Sequence, residues 1–251
     1  MRILVANANT TEAITESCAA SARRVAAAGT EIIAATPRFG PATIGTRAEN
    51  AVAGHALLEL LAEHAGKVDA AILAVSHDTA LEAARQLMPC PVIGMTEAAC
   101  FTACLLGGRF GLVTFGNAAT YRELIARHGL ADRLAGLAGI AATPLEAVQA
   151  PEAVAARLLE AVESLAAQGS DAVILGGAAL AGFDVRLHGR TPVPLLDGMA
   201  CGVGLAEMLV RLRLPKPRTG SYAPPAGRAT IGLAPALAAL LAGEKDAARG
   251  T

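Results

Sequence analysis

Tryptophan is absent from this chain of 251 residues, and five Phe with two Tyr leave aromatics at 3%. A protein so poor in rings has little from which to build base-stacking platforms for nucleic acid. Nor is there a basic footprint, since Lys+Arg 21 against Asp+Glu 22 gives a net charge of −1. Charged residues make up 17% of the sequence, below the roughly 25% typical of soluble domains. No run of about 18 uncharged apolar residues occurs, so no membrane span is expected. The five cysteines are scattered and odd in number, without a CxxC pair, and do not form the framework of a secreted disulfide-rich domain. Met1-Arg2-Ile3-Leu4-Val5 enters a strand at once, so no leader is expected. What remains is a 53% hydrophobic chain in which alanine supplies much of the apolar content. The expectation is a lean, helix-rich, cytoplasmic protein of enzyme size.

Short β-branched runs alternate with longer Ala- and Leu-rich helical patterns, the order of a parallel α/β architecture. Strands are expected at 2–6, 30–35, 70–75, 92–94, 110–114, 172–176 and 193–196. Helices are expected at 12–28, 47–64, 79–87, 97–106, 118–128, 151–168 and 198–211. Continuous apolar strands such as Ala71-Ile72-Leu73-Ala74-Val75 suit sheets covered on both faces. Past Leu214, Pro215, Pro217, Pro224 and Pro225 mark an irregular segment. A short helix near 235–242 and a frayed end follow it.

The chain also repeats itself. Asp69-Ala70-Ala71-Ile72-Leu73 matches Asp171-Ala172-Val173-Ile174-Leu175 at an offset of 102, and Pro91-Val92 matches Pro192-Val193 at an offset of 101. Two half-sized α/β lobes related by a pseudo-twofold follow from this. The first covers 1–108, with a C-terminal segment from about 198 to 251 packing back on it, and the second covers 109–197. Ligands of open parallel sheets sit beyond the carboxyl ends of the strands, so the cleft between the lobes is the default site.

Asn7-Ala8-Asn9-Thr10-Thr11 follows the first strand directly, and Gly40-Pro41-Ala42-Thr43-Ile44 follows the second. Further on stand Glu97-Ala98-Ala99, Leu105-Leu106-Gly107-Gly108-Arg109-Phe110, Val173-Ile174-Leu175-Gly176 and Pro194-Leu195-Leu196-Asp197-Gly198. In order and spacing these segments resemble the aspartate/glutamate/hydantoin racemase superfamily, and within it the hydantoin racemase branch. The resemblance implies two pseudo-symmetric α/β lobes with a cofactor-free active site between them. It also implies chemistry by two cysteines, one at the end of the equivalent strand in each lobe, which remove and return an α-proton on opposite faces. The positions that match them here are Val75 and Gly177. Both thiols are missing. The decarboxylase branch keeps the second cysteine, so Gly177 counts against that activity as well.

The residues themselves offer other groups. Asn9, Thr10 and Thr11 can hold a ligand through side chains and N–H groups at a helix N-terminus, or simply cap that helix. Ser76, the neighbouring N–H groups and Thr79 can form an anion-holding cradle where the third strand meets its helix, with Asp78 a further substrate contact, or Asp78 or Thr79 can simply cap that helix. His77, with an ordinary pKa near ~6.5, is the natural proton-transfer group there. Gly177 and Ala178 face that place across the pseudo-twofold, and a glycine leaves room for close backbone approach. His188, between Arg186 and Arg190 in a loop, is a second base or a solvated surface residue. Thr114, Asn117 and Tyr121 follow the fifth strand, where the resembled family contacts its ligand. Cys18, Cys90, Cys100, Cys104 and Cys201 read as packing residues; His77, Asp78 and a distant His or Cys could build a metal site, though no local spacing of ligands supports one.

The expectation is a cofactor-independent enzyme acting on a small cyclic ureide such as a substituted hydantoin or thiohydantoin. With both thiols gone, hydrolytic or lyase-type attack at a ring carbon leads, with His77, Ser76 and His188 as catalytic groups. A racemase or isomerase with non-cysteine bases is the alternative, and a non-catalytic small-molecule binder is the third. The expected partner is a small-molecule substrate, with neither nucleic acid nor membrane, and self-association to a homo-oligomer is left open.

Overall fold

The protein, as a computed structural model, is described over residues 1–243. The first half runs β1 (Arg2–Asn7), α1 (Glu12–Val25), β2 (Glu31–Ala35), α2 (Arg47–His64), β3 (Ala70–Ala74), α3 (Leu81–Leu87), β4 (Val92–Gly94) and α4 (Met95–Leu106). The second runs β5 (Phe110–Phe115), α5 (Ala119–Arg127), β6 (Leu134–Ile140), α6 (Pro144–Gln149), α7 (Pro151–Ala167), β7 (Ala172–Gly176), α8 (Phe183–Arg186), β8 (Leu195–Asp197) and α9 (Gly198–Leu212). A last helix, α10 (Pro235–Leu241), closes the described chain. Two parallel sheets result, ordered β2-β1-β3-β4 and β6-β5-β7-β8. Every residue of β3 and of β7 is buried, as continuous apolar strands between two helix layers require.

The backbone sets the repeat register. The N–H of Ala71 donates to the Pro91 carbonyl at 2.9 Å, and that of Val173 donates to Pro194 at 3.0 Å. Pro91 therefore corresponds to Pro194, not to Pro192 as the Pro-Val match implied. The strand expected at 193–196 is accordingly β8 at Leu195–Asp197. A proline brings only its carbonyl to a ladder, so sequence similarity around a Pro-Val pair does not fix which carbonyl is used.

The helices after the last strand of each sheet lie close together and cross over. Buried residues of α9 (Met199, Val203 and Ala206) pack with Ile3, Val5 and Ile72 of the first sheet. Buried residues of α4 (Ala99, Cys100 and Ala103) pack with Phe110, Leu112 and Ile174 of the second. Sequence order assigns α4 to the first lobe, and its buried residues serve both: Met95 and Ala98 pack with the first sheet, Ala99, Cys100 and Ala103 with the second. Close passage of the pair requires a residue without a side chain: a Cβ on Gly198 would stand 2.5 Å from the Met95 carbonyl oxygen.

Each lobe opens the helix after its edge strand in the same way. Thr46 and Glu49 form a capping box on α2, and Thr143 and Glu146 form one on α6 with Pro144 in its first turn. The short helices α6 and α8 and the strand β6 are elements that the sequence patterns did not suggest. Beyond α9, the Lys216 ammonium donates to the Gln86 and Met88 carbonyls at 2.5 and 2.7 Å, and α10 packs against α2. The frayed end expected beyond 242 lies outside the described residues, apart from Gly243. Among the described residues no helix is long and apolar enough to cross a membrane.

Candidate active site

The carboxyl ends of β1, β3, β5 and β7, the two inner strands of each sheet, meet around a cleft of about 350 Å³. This is the size range of small-ligand sites. After β1, the Asn9 Oδ1 accepts from the Thr11 N–H at 3.0 Å, and Asn7 Nδ2 donates to the same oxygen at 3.0 Å. The Asn9 amide nitrogen has no acceptor among the described residues and lines the cleft. After β5, the Asn117 Oδ1 takes the Ala119 N–H in the same i→i+2 way, at 2.9 Å. Each lobe thus presents an asparagine whose oxygen organises the turn, leaving its NH₂ for a ligand oxygen.

The end of β3 brings Val75, Ser76 and His77 to the cleft. Tyr121, from α5 of the opposite lobe, donates its hydroxyl to Ser76 Oγ at 2.6 Å and lies 3.1 Å from the Gly176 carbonyl oxygen. Burial pushes the Tyr121 phenol up, so it stays protonated, and its one O–H ties α5 to the end of β3 in the other lobe. The His77 ring stacks on Tyr121, centroids 5.1 Å apart, with Nε2 3.5 Å from Thr120 Oγ1. Burial lowers the His77 pKa from the ordinary histidine value, since an imidazolium loses hydration there. At neutral pH the ring is uncharged and can accept a proton. Across from it, the end of β7 supplies Gly177 and Ala178. The φ of Gly177 is 172°, extended backbone open to any residue. A Cβ there would touch the edge of the Phe115 ring at 3.0 Å.

None of the five cysteines lines this cleft. Cys18 donates to the carbonyl of Ala178, a lining residue, at 3.4 Å. Burial drives the Cys18 and Cys100 thiols far up and holds those of Cys90 and Cys201 at about 11. A thiol so placed is no thiolate at neutral pH.

Residues 3–206 match the Asp/Glu/hydantoin racemase family. The chain belongs to this family. It is 33% identical to the hydantoin racemase of Paenarthrobacter aurescens over 233 residues, covering 90% of this chain and 98% of the relative. Among solved structures, the allantoin racemase from Klebsiella pneumoniae superposes with a TM-score of 0.90 at 34% identity, over 94% of this chain and 98% of that one. The allantoin racemase from Pseudomonas fluorescens gives a TM-score of 0.88 at 34% identity, over 92% and 100%. In this member of the racemase family, the positions that the resemblance matched to the two cysteines end equivalent strands. Val75 follows β3, Gly177 follows β7, and they border one cleft.

Several residues expected at the site lie elsewhere. The Thr10 N–H is held by the Pro41 carbonyl at 3.0 Å and the Thr11 hydroxyl by Ala42 at 2.7 Å, so both brace the loop after β2 and do not line the cleft. The Asp78 carboxylate turns away to accept from the Thr96 and Glu97 N–H groups at 3.1 and 2.8 Å and from His128 at 3.3 Å. It caps α4 instead of cradling a ligand. Thr79 donates to Asn50 at 2.5 Å and is likewise outside the cleft. His188 is exposed in a separate surface depression beside α8. A side chain on the outer end of that loop has nothing to bring it inward. In exchange, Thr43, Gly45, Thr120 and Pro144 border the cleft without having been singled out as site residues. Thr43 belongs to the Gly-Pro-x-Thr-Ile segment, and Pro144 opens a capping box. Both signals were present in the sequence. Among the described residues, no three His, Cys, Asp or Glu side chains converge as metal ligands would.

Proposed function

We propose that the protein is an isomerase of a hydantoin-type cyclic ureide, moving a proton at the ring carbon flanked by carbonyl and nitrogen. The relatives are named as racemases of hydantoin and allantoin, which favours this reading over hydrolytic or lyase-type attack. The observation that carries it is the His77 ring lining the cleft just beyond β3, two residues from Val75, the position that the resemblance matches to the family's first cysteine.

In this scheme His77 takes the proton from the ring carbon, and the resulting enolate oxygen is held by donors already aimed at the cleft. Asn9 Nδ2 and the Ser76 hydroxyl, itself fixed by Tyr121, supply those donors. The opposite face lies over Gly177, where no side chain stands to return a proton. Water donates it there, and the hydroxide so formed takes the proton from the His77 imidazolium. Atoms and charge balance, and the ring stays intact. One base in place of two is expected to be slow, because each positioned acid–base group typically contributes roughly 10²–10⁴-fold.

Enantiopure 5-substituted hydantoins incubated with the enzyme and resolved by chiral chromatography with mass detection test this. The opposite enantiomer should accumulate at unchanged mass. A ring-opened product gaining one water would replace the isomerase by a hydrolase, and recovery of unchanged substrate with saturable binding would leave only a binder.

A further inference from the structure

A second cavity, of about 400 Å³, adjoins the cleft, and Ile44, Gly45, His77 and Thr120 border both. We propose that it is a subsite for an acidic substituent on the ring, with Arg127 as the residue that selects for a carboxylate. The proposal rests on the cyclic-ureide reading and names the class of substrate within it.

The charges around this cavity are unequal. Arg47, in the first turn of α2, places one guanidinium nitrogen 2.9 Å from both oxygens of Glu123 on α5. That pair joins the two lobes across the cavity mouth and cancels its own charge. Arg127 stands one turn further along α5 and also lines the cavity, but no carboxylate among the described residues lies within ion-pair distance of it. Asn50 lines the same wall with its Oδ1 already accepting from Thr79, so its NH₂ is what it can offer. Glu49, the other carboxylate at this helix end, is engaged by the Gly45 and Thr46 N–H groups at 2.8 Å each. The space therefore presents hydrogen-bond donors and one uncompensated positive charge, beside the positive end of an 18-residue helix.

A ring seated against Ser76 and Asn9 would extend a short substituent past His77 and Thr120 into this space. A guanidinium meets a carboxylate through two parallel N–H bonds and meets a neutral amide less well. The ligand class is thus a hydantoin bearing a carboxymethyl or carboxyethyl arm.

Calorimetric titration of the full chain with 5-carboxymethylhydantoin and with its uncharged isostere, 5-carbamoylmethylhydantoin, decides the matter. The acid should bind at least about tenfold more tightly, a difference of about 1.4 kcal/mol. Arg127→Gln should lower the acid to the affinity of the amide, while Arg127→Lys should keep part of the preference. Equal affinities in the unaltered protein, or a preference that survives Arg127→Gln, would overturn the subsite alone. If neither compound binds, the subsite and the cyclic-ureide reading fall together. Inorganic phosphate that binds through Arg127 while the acid gains nothing over the amide would mark a site for free anions, and would equally overturn the proposal.

Discussion

Burial lowers the pKa of His77, and the sign of that shift fixes two pH responses. A base must be unprotonated, so turnover should rise with pH to a plateau whose midpoint lies below the ordinary value near ~6.5. For stability, the unfolded chain accepts a proton at this residue that the native state resists. His77 therefore makes folding less favourable as pH drops from about 6.5 toward its own lower midpoint, with no further change below that. His77→Asn should remove the plateau and cut kcat by roughly 10²–10⁴-fold with little change in KM, because a lost proton-transfer group acts on the chemical step. Steady-state kinetics across pH 5–8 would check both, and a variant with unaltered kcat would make His77 a bystander.

At the scale of elements, Asp78 links the end of β3 to the start of α4. It is 4% exposed, and its carboxylate satisfies two N–H groups of that helix and His128 from the other lobe. Asp78→Ala would leave all three donors buried without an acceptor, a loss expected to be about 3 kcal/mol. Chemical denaturation should show it as a lower midpoint at unchanged slope; an unchanged midpoint would mean that the cap carries little. Sequence alone gave Asp78 a ligand-holding or capping role at its own helix, because it reads neighbours along the chain and the N–H groups it satisfies are 18 and 19 residues away. The strand β6 was illegible for a related reason. Its Leu-Ala-Gly-Leu-Ala-Gly-Ile run has only one β-branched residue, and its glycines answer to packing. A Cβ on Gly139 would stand 1.7 Å from the Gly116 carbonyl oxygen, and one on Gly136 would meet Leu165 at 2.9 Å. Strands β4 and β7 and helix α2, by contrast, fall where their patterns put them, since their buried runs and caps are local.

For the whole molecule, the pseudo-twofold is what makes one cleft out of two lobes. The apolar repeat at an offset of 102 made the two strand ends legible, and those ends carry Val75 and Gly177 to the same site. The crossing of α4 and α9 was not legible, because a helix stripe does not name the sheet it covers. Placing a thiol at each strand end should exploit the symmetry. Val75→Cys with Gly177→Cys should racemise a 5-substituted hydantoin faster than either single variant, with the gain abolished by thiol alkylation. The extended backbone at 177 admits the side chain once the Phe115 ring shifts. Additive single-variant rates in a polarimetric assay would show that the two positions do not act on one ring.

The most direct test of the proton transfer is deuterium exchange at the ring carbon, followed by proton NMR in D₂O with an enantiopure 5-substituted hydantoin. A single imidazole base with solvent on the opposite face predicts loss of the ring C–H signal at a rate equal to or above that of inversion. The exchange should persist after cysteine alkylation and be lost in His77→Asn. Inversion without exchange, or exchange that alkylation abolishes while His77→Asn leaves it intact, would contradict that assignment.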